Sequence, residues 1–335
     1  MIKVGIVGLG YWGPNLVRNF QSVNGAEVHS VADFDNNRLQ KIHQLYPKIN
    51  LCNDANEIFE NPEIDAVVLA TPINTHYDLA KKALLKNKSV MVEKPLATSR
   101  AEVLELMEIA DARGLSLMVD HTFLYTGAVQ KIKSVIDSGE LGQLQYFDST
   151  RINLGLFNPN WSVIWDLAVH DLSIFDYISG GKKPVAVSAT GIAHTKMGIE
   201  NLAYISLFFD DDTFAHITSS WISPVKIRKT LIGGTKKMII YDDVEPTEKI
   251  KIYDSGFSVS TPEDMHKWLI DYRFGDIYIP KLPQIEALKG VAEDFIKSIS
   301  EKTTPLGNAN SGLNVVTILE AAQKSLVNRG ETIIL

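Results

Sequence analysis

The sequence predicts an α/β protein in two parts: a domain over residues 1–122 built on a doubly wound parallel sheet, and a second α/β domain over 123–335 built on an open sheet. Three observations carry that prediction. Over the first 120 residues, short apolar runs alternate with helical patterns. Beyond about residue 122, strand-like runs follow one another without helices between them. The chain has 335 residues, more than a single hydrophobic core usually organises.

In the first part the apolar runs fall at 2–7, 28–32, 66–70, 89–92 and 115–119, with helical stretches at 14–21, 36–45, 76–85 and 101–112. Near-continuous Val, Ile and Leu is the mark of strands buried on both faces. Strand–helix alternation then implies a parallel sheet with right-handed crossovers. In the second part 128–137 reads as a helix, 143–154 as a long strand and 162–178 as a helix. Strand-like runs follow at 184–193, 202–209, 213–221, 226–232 and 236–241, punctuated by Asp210-Asp211-Asp212 and Gly233-Gly234. Such a run of strands predicts an open antiparallel or mixed sheet with one face covered by the 162–178 helix. Residues 242–285 read as loop-rich, and 285–299 and 313–326 as amphipathic helices.

Composition narrows the function classes. A net charge of −7 argues against a broad nucleic-acid footprint. Cys52 is the single cysteine, so no intramolecular disulfide forms, and the absence of CxxC and HExxH motifs argues against a zinc site. No metal is therefore expected. The opening Met1-Ile2-Lys3-Val4-Gly5-Ile6-Val7 reads as a strand rather than a signal peptide, and no apolar run is long enough to span a bilayer. The Asn87-Lys88-Ser89 sequon is read as chance. These features give the expectation of a cytoplasmic protein without membrane or nucleic-acid partners.

Gly8-Leu9-Gly10-Tyr11-Trp12-Gly13 matches G-x-G-x-x-G, placed after an apolar run and at the opening of a helix. That context makes it a dinucleotide loop of a Rossmann domain. Gly8 permits the tight turn, Gly10 lets a pyrophosphate approach, and Gly13 lets helix and strand pack closely. Helix N–H groups then face the phosphates, and Pro14 suits the first turn. Asp33 lies 20 residues beyond Gly13, where a carboxylate accepts the ribose hydroxyls of NAD. A 2′-phosphate would meet like charge there, so NAD is favoured over NADP. Asp35 is positioned to share that role, and Arg38 leaves dual use open.

Three further motifs bring a family into view. Ala70-Thr71-Pro72-Ile73-Asn74-Thr75-His76 follows one apolar run, Glu93-Lys94-Pro95-Leu96-Ala97 follows the next, and Asp166 and His170 stand four apart in the 162–178 helix. With the glycine loop, these resemble the glucose–fructose oxidoreductase, inositol dehydrogenase and MocA family over nearly the whole chain. The resemblance implies a Rossmann domain followed by an α/β domain with an open, largely antiparallel sheet. It also implies oxidation of a sugar or cyclitol hydroxyl, or reduction of the matching ketone, with NAD(P). Carried over, Lys94 would bond the reacting oxygen, Asp166 would orient the substrate or relay its proton, and His170 would be the general acid/base. Tyr11, Trp12, Thr71, Pro72, Asn74, His76 and Glu93 would border the cofactor with the loop glycines. Dimers or tetramers packed through the second sheet are implied as well. His121-Thr122-Phe123-Leu124-Tyr125 and Asn153-Leu154-Gly155-Leu156-Phe157 resemble more narrowly the sugar-nucleotide 3-dehydrogenases, which oxidise UDP-N-acetylglucosamine at C3, and related deoxysugar 3-ketoreductases. One departure stands out: Asn160-Trp161-Ser162-Val163-Ile164 replaces a glycine-rich run that many relatives carry.

The chemistry suits these residue types. Alcohol oxidation removes a hydride from carbon and a proton from oxygen, and a base working near neutral pH is naturally histidine. Asp166 and His170 project from one helix face, so the carboxylate can tune the ring. Lys94, at the carboxyl edge of the sheet where ligands bind, supplies a proton or a fixed cation. Alternatives stand beside each assignment. Tyr125 is either a sugar contact or a core tyrosine. Arg151 either meets a substrate diphosphate or is an ordinary surface arginine of its strand. Trp161, Trp165 and Trp221 read as core or interface. Sequence leaves the reaction's direction open, with inositol or free-sugar dehydrogenase and keto-sugar reductase as alternative activities and a non-catalytic dinucleotide-binding regulator as a further one.

Overall fold

A computed structural model describes residues 1–155, 157–196, 198–258 and 271–335. Contacts divide the chain into two units, Met1–Thr126 with Ile285–Glu320, and Gly127–Gln284 with Ala321–Leu335. Among the described residues no helix is long and apolar enough to cross a membrane.

The first unit holds six strands: β1 (Ile2–Val7), β2 (Ala26–Ala32), β3 (Asn50–Cys52), β4 (Ala66–Leu69), β5 (Ser89–Glu93) and β6 (Leu117–Asp120). They pair in parallel in the order β3-β2-β1-β4-β5-β6. That is the Rossmann order, with its switch point between β1 and β4, where the crevice for a dinucleotide lies. The crossovers carry α1 (Gly13–Ser22), α2 (Asn36–Leu45), α3 (Ala55–Glu60), α4 (His76–Leu85) and α5 (Arg100–Arg113). Local chemistry sets several helix ends. Asp35 caps α2 by accepting from Asn37 N, Ser99 and Glu102 form a capping box on α5, and Gly114 ends α5 at φ 62°. One face of the sheet buries Val7, Leu69, Val92 and Val119 with Leu84 of α4 and Leu106 of α5.

Two elements of this unit, β3 and α3, go beyond the sequence reading. Three and six residues respectively, they are too short to show a period. The first unit also takes in Ile285–Glu320, which the sequence reading placed in the second domain. The helix Ala287–Ser300 buries Phe295 edge-on against Phe20 of α1, ring centroids 6.3 Å apart. Asn308 bridges to Met118 of β6, and Val316 joins the core.

The second unit begins with α6 (Gly127–Asp137) and the long β7 (Leu144–Leu154), then a π-helical turn at Ile164–Ala168 that continues as α7 (Val169–Ile178). Strands β8 (Ala186–Ile192), β9 (Leu202–Phe208), β10 (Phe214–Ser220), β11 (Ile222–Gly234), β12 (Met238–Asp242) and β13 (Ile250–Tyr253) follow. β14 (Gly256–Ser258) and β15 (Asp271–Arg273) pair separately, and β16 (Ile277–Tyr278) and β17 (Ile333–Ile334) complete the edges. The nine-stranded sheet runs β16-β13-β12-β11-β7-β10-β9-β8-β17. Its pairs are antiparallel except β7 with β10. The mixed, largely antiparallel sheet agrees with expectation, while the described part of 242–285 is richer in strand than the loop-rich reading. Along β7, Phe147, Ser149 and Arg151 are buried while Tyr146 and Asp148 are exposed, the period-2 pattern of a sheet with one covered face. Phe147 meets Phe175 of α7 at 5.4 Å, which fixes that face as the helix-covered one.

Candidate active site

The glycine loop has the shape that a dinucleotide needs. Gly8 adopts φ +94°, and a Cβ there would sit 2.5 Å from Ala70 O. A Cβ on Gly13 would sit 2.2 Å from Gly8 O, so the helix start packs on the turn only as glycine. A Cβ on Gly10 would meet Arg38 Nη1 at 4.0 Å and nothing nearer, which leaves the backbone open to approach. Asp33, at the end of β2, is fixed beside this loop. Its Oδ2 accepts from Leu9 N at 2.7 Å and its Oδ1 from Asp35 N at 2.8 Å. Arg38 Nη1 stands 3.5 Å from Asp33 Oδ2. Each carboxylate oxygen keeps a second lone pair for a ribose hydroxyl. Tyr11 and Trp12 are 83% and 46% exposed, so the loop presents two aromatic rings outward. These residues fit NAD.

The carboxyl edge of the same sheet gathers the next group. Thr71 is half-buried, and Pro72 and Asn74 are exposed, on the turn that leaves β4. Thr75 Oγ1 donates within this turn to Pro72 O at 2.7 Å. His76 differs from its predicted role at the cofactor. It is 1% exposed, and its ring lies between Pro95 O and Thr71 O, each 2.8 Å away. It braces the Thr71 turn against the Lys94-Pro95 segment instead of presenting itself to a ligand. Burial pushes its pKa down against the pull of those carbonyls. Lys94 is half-buried just past β5. Glu93 is also corrected as a cofactor contact: it is buried at the end of β5, opposite Asp120 in the β5–β6 register. Tyr125 resolves to the core alternative. Its hydroxyl donates to Asp294 Oδ2 at 2.6 Å and accepts from Gly307 N at 3.3 Å, which clamps the end of β6 to the C-terminal segment.

In the second unit, residues 162–176 are buried at every position except Asp166 and His170. An apolar helix thus opens to a surface only at the two polar residues singled out from sequence. Asp166 lies in the π-helical turn, an irregularity that recurs at functional sites. Its Oδ2 accepts from Trp221 Nε1 at 3.0 Å. Trp221 is 1% exposed, in keeping with a core position, and its donor role is not visible in the sequence. A buried indole N–H needs an acceptor, which is the one signal that pointed there. Gly155 makes room for this ring, since a Cβ would lie 2.3 Å from Trp221 Cδ1. Phe157 tilts against the same ring at 5.7 Å. Two members of the Asn153–Phe157 motif therefore build the seat of Asp166, while Leu156 lies outside the described residues. The replacement segment Asn160 to Ile164 is tied down by Ser162 Oγ donating to Gln323 Oε1 at 2.8 Å.

Arg151 is a correction. It is 2% exposed, and its Nε and Nη2 donate to Asp171 Oδ2 and Oδ1 at 2.8 and 3.0 Å. Ser149 Oγ donates to Asp171 Oδ1 at 2.9 Å. The guanidinium fork is committed to a core ion pair and does not serve a substrate diphosphate.

Comparison with known proteins places this geometry. The oxidoreductase family with an NAD-binding Rossmann fold matches residues 2–121, and the GFO/IDH/MocA C-terminal domain matches residues 129–240. The chain belongs to the Gfo/Idh/MocA family. It is an NAD-dependent oxidoreductase. Among its relatives, the myo-inositol 2-dehydrogenase of Thermotoga maritima is 22% identical over 97% of this chain and 96% of its own. The structure of the UDP-N-acetylglucosamine 3-dehydrogenase GnnA of Acidithiobacillus ferrooxidans is 20% identical over 97% of each chain, with a TM-score of 0.82. GenD2 from gentamicin A biosynthesis, solved with NAD, is 19% identical over 100% of this chain and 96% of its own, with a TM-score of 0.83. The two structures share the fold.

Proposed function

We propose that the protein oxidises a secondary hydroxyl of a sugar nucleotide, with C3 of UDP-N-acetylglucosamine as the favoured position. The observation that carries the reading is the opening of the otherwise buried 162–176 segment at Asp166 and His170 alone. An opening limited to a carboxylate and an imidazole supports a role for both at one substrate hydroxyl. His170 takes the hydroxyl proton, and Asp166, held by Trp221 Nε1, orients ring and substrate. Lys94 meets the reacting oxygen and favours charge developing on it. Gly8, Gly10, Gly13, Tyr11, Trp12, Asp33, Thr71, Pro72 and Asn74 hold NAD, which when bound supplies the hydride acceptor. The sugar-nucleotide class is supported by the GnnA likeness and by the resemblance of the motif from Asn153 to Phe157 to that of the sugar-nucleotide 3-dehydrogenases.

A cyclitol substrate is the second reading, supported by the myo-inositol 2-dehydrogenase relative. We also place the protein in the cytoplasm as a homotetramer. The side chains supporting assembly are Tyr204, Phe208 and Phe214, exposed on the second sheet at 41%, 39% and 40%. The test is NADH formation from NAD with UDP-N-acetylglucosamine, its uronic acid, inositol or glucose. A parallel series includes a keto acid to regenerate NAD from tightly held NADH. Turnover with a nucleotide sugar alone is the expected result. Turnover with inositol alone would move the assignment to the cyclitols.

A further inference from the structure

Two buried acids of the first unit have no part in the reading above. Glu93 ends β5 and Asp120 ends β6, and the parallel register sets them opposite each other. Paired residues of parallel strands project to the same face, so the two carboxyls meet. Glu93 is 8% exposed and Asp120 1%, and the two side chains are within hydrogen-bonding reach. Asp120 Oδ1 accepts from Thr122 Oγ1 at 2.7 Å, but among the described residues its Oδ2 has no donor. Two carboxylates in contact away from water repel, and a buried acceptor without a donor costs further. One proton between them removes both penalties, because a protonated carboxyl donates to its neighbour. Burial and the Asp120 charge push the Glu93 carboxyl well above the usual range, and burial also raises Asp120.

We propose that Glu93 and Asp120 share a single proton and present one fixed negative charge to Lys94, acting as positioning residues for its ammonium. The inference rests on the role given to Lys94 above. The titratable groups that pack nearby in the first unit are held neutral or satisfied locally. His76, from α4, is braced between two carbonyls and held toward neutrality by burial. His121 is buried beside Lys94, and its pKa is pushed down to about 3. Tyr125 donates to Asp294, and Asp294 also accepts from Leu306 N at 2.7 Å, so that carboxylate is satisfied locally.

A shared proton has a specific consequence. If either acid becomes its amide, the other ionises alone and the charge of −1 remains. Only the double replacement removes it. Glu93→Gln and Asp120→Asn should therefore each leave Lys94 as it is, and the double variant should not.

Two readouts on the full chain test this. In the infrared spectrum of wild type at pH 7, labelled with ¹³C-carboxyl aspartate and glutamate, one protonated-acid carbonyl band should be present and absent from both single variants. Acetylation of Lys94 by acetic anhydride, followed by mass spectrometry, should have the same pH profile in wild type and both single variants. In the double variant the profile should move about one to two pH units toward acid. A wild-type spectrum lacking that band, or single variants shifting as far as the double, would overturn the proposal. Unchanged turnover in Lys94→Met would instead remove the role of Lys94, while the infrared band would still report the shared proton.

Discussion

His121→Phe should make the protein resist acid. His121 is 1% exposed, and among the described residues neither ring nitrogen has a hydrogen-bond partner. Burial, with the Lys94 charge beside it, pushes its pKa from 6.5 down to about 3. The folded pKa lies below the unfolded one, so the fold favours the neutral ring. Its contribution is fully present above pH 6.5 and is lost progressively as pH falls toward 3. Relative to a side chain that does not titrate, the loss grows to about 2 kcal/mol at pH 5 and about 5 kcal/mol below pH 3. Phenylalanine has a similar shape and forfeits no hydrogen bond, so at pH 7 the two proteins should be within about 1 kcal/mol of each other, or the variant slightly ahead. Glu93 and Asp120 titrate with the opposite sign. Their raised pKa values give stability that is present at low pH and lost as pH rises. That contribution is common to both proteins and drops out of the difference. The assay is urea unfolding of wild type and variant at pH 7, 6 and 5. A stability difference that stays constant from pH 7 to pH 5 would refute the reasoning, since it would mean that the buried ring takes up its proton in the fold at no cost.

Other outcomes follow from the same geometry. Gly8→Ala forces a side chain into φ +94° and against Ala70 O. It should cost about 1–3 kcal/mol in strain and weaken NAD binding at least tenfold by calorimetry, whereas wild-type affinity would show that the turn can relax. Arg151→Met strands Asp171 in the core and should destabilise by about 3–5 kcal/mol. A smaller loss on urea unfolding would mean that the ion pair is not the anchor of β7 on α7. Trp221→Phe removes the donor to Asp166 Oδ2 and should lower kcat about tenfold with NAD affinity retained. Equal kcat in wild type and variant would separate Trp221 from the reaction.

Much of the first unit was legible because its signals are local. The glycine loop, the apolar strands and the Asp35 cap each lie within a few residues of the element that they define. Features set by tertiary contact were not. The amphipathic stripe of 285–299 marks a helix but does not say which sheet it covers, and Phe295 finds Phe20 across most of the chain. Alternation along β7 puts Arg151 on one face without saying that the face is covered, and its partner Asp171 is supplied by α7. Tyr125 and His76 carry polar atoms that suit a ligand equally well, and only the positions of Asp294, Gly307, Thr71 and Pro95 show that backbone and core groups claim them. Asp120 ends an apolar run and looks unremarked until the β5–β6 register sets it against Glu93. Asp166 and His170 were visible as a pair four apart, whereas the Gly155–Trp221 packing that seats Asp166 exists only in the folded sheet.

Removal of the substrate hydroxyl's proton by His170 is tested by comparing wild type with His170→Ala. NADH formation at saturating UDP-N-acetylglucosamine would be measured alongside NAD binding by calorimetry. Turnover should fall about 10²–10⁴-fold with NAD affinity unchanged. Undiminished turnover in the variant would contradict it.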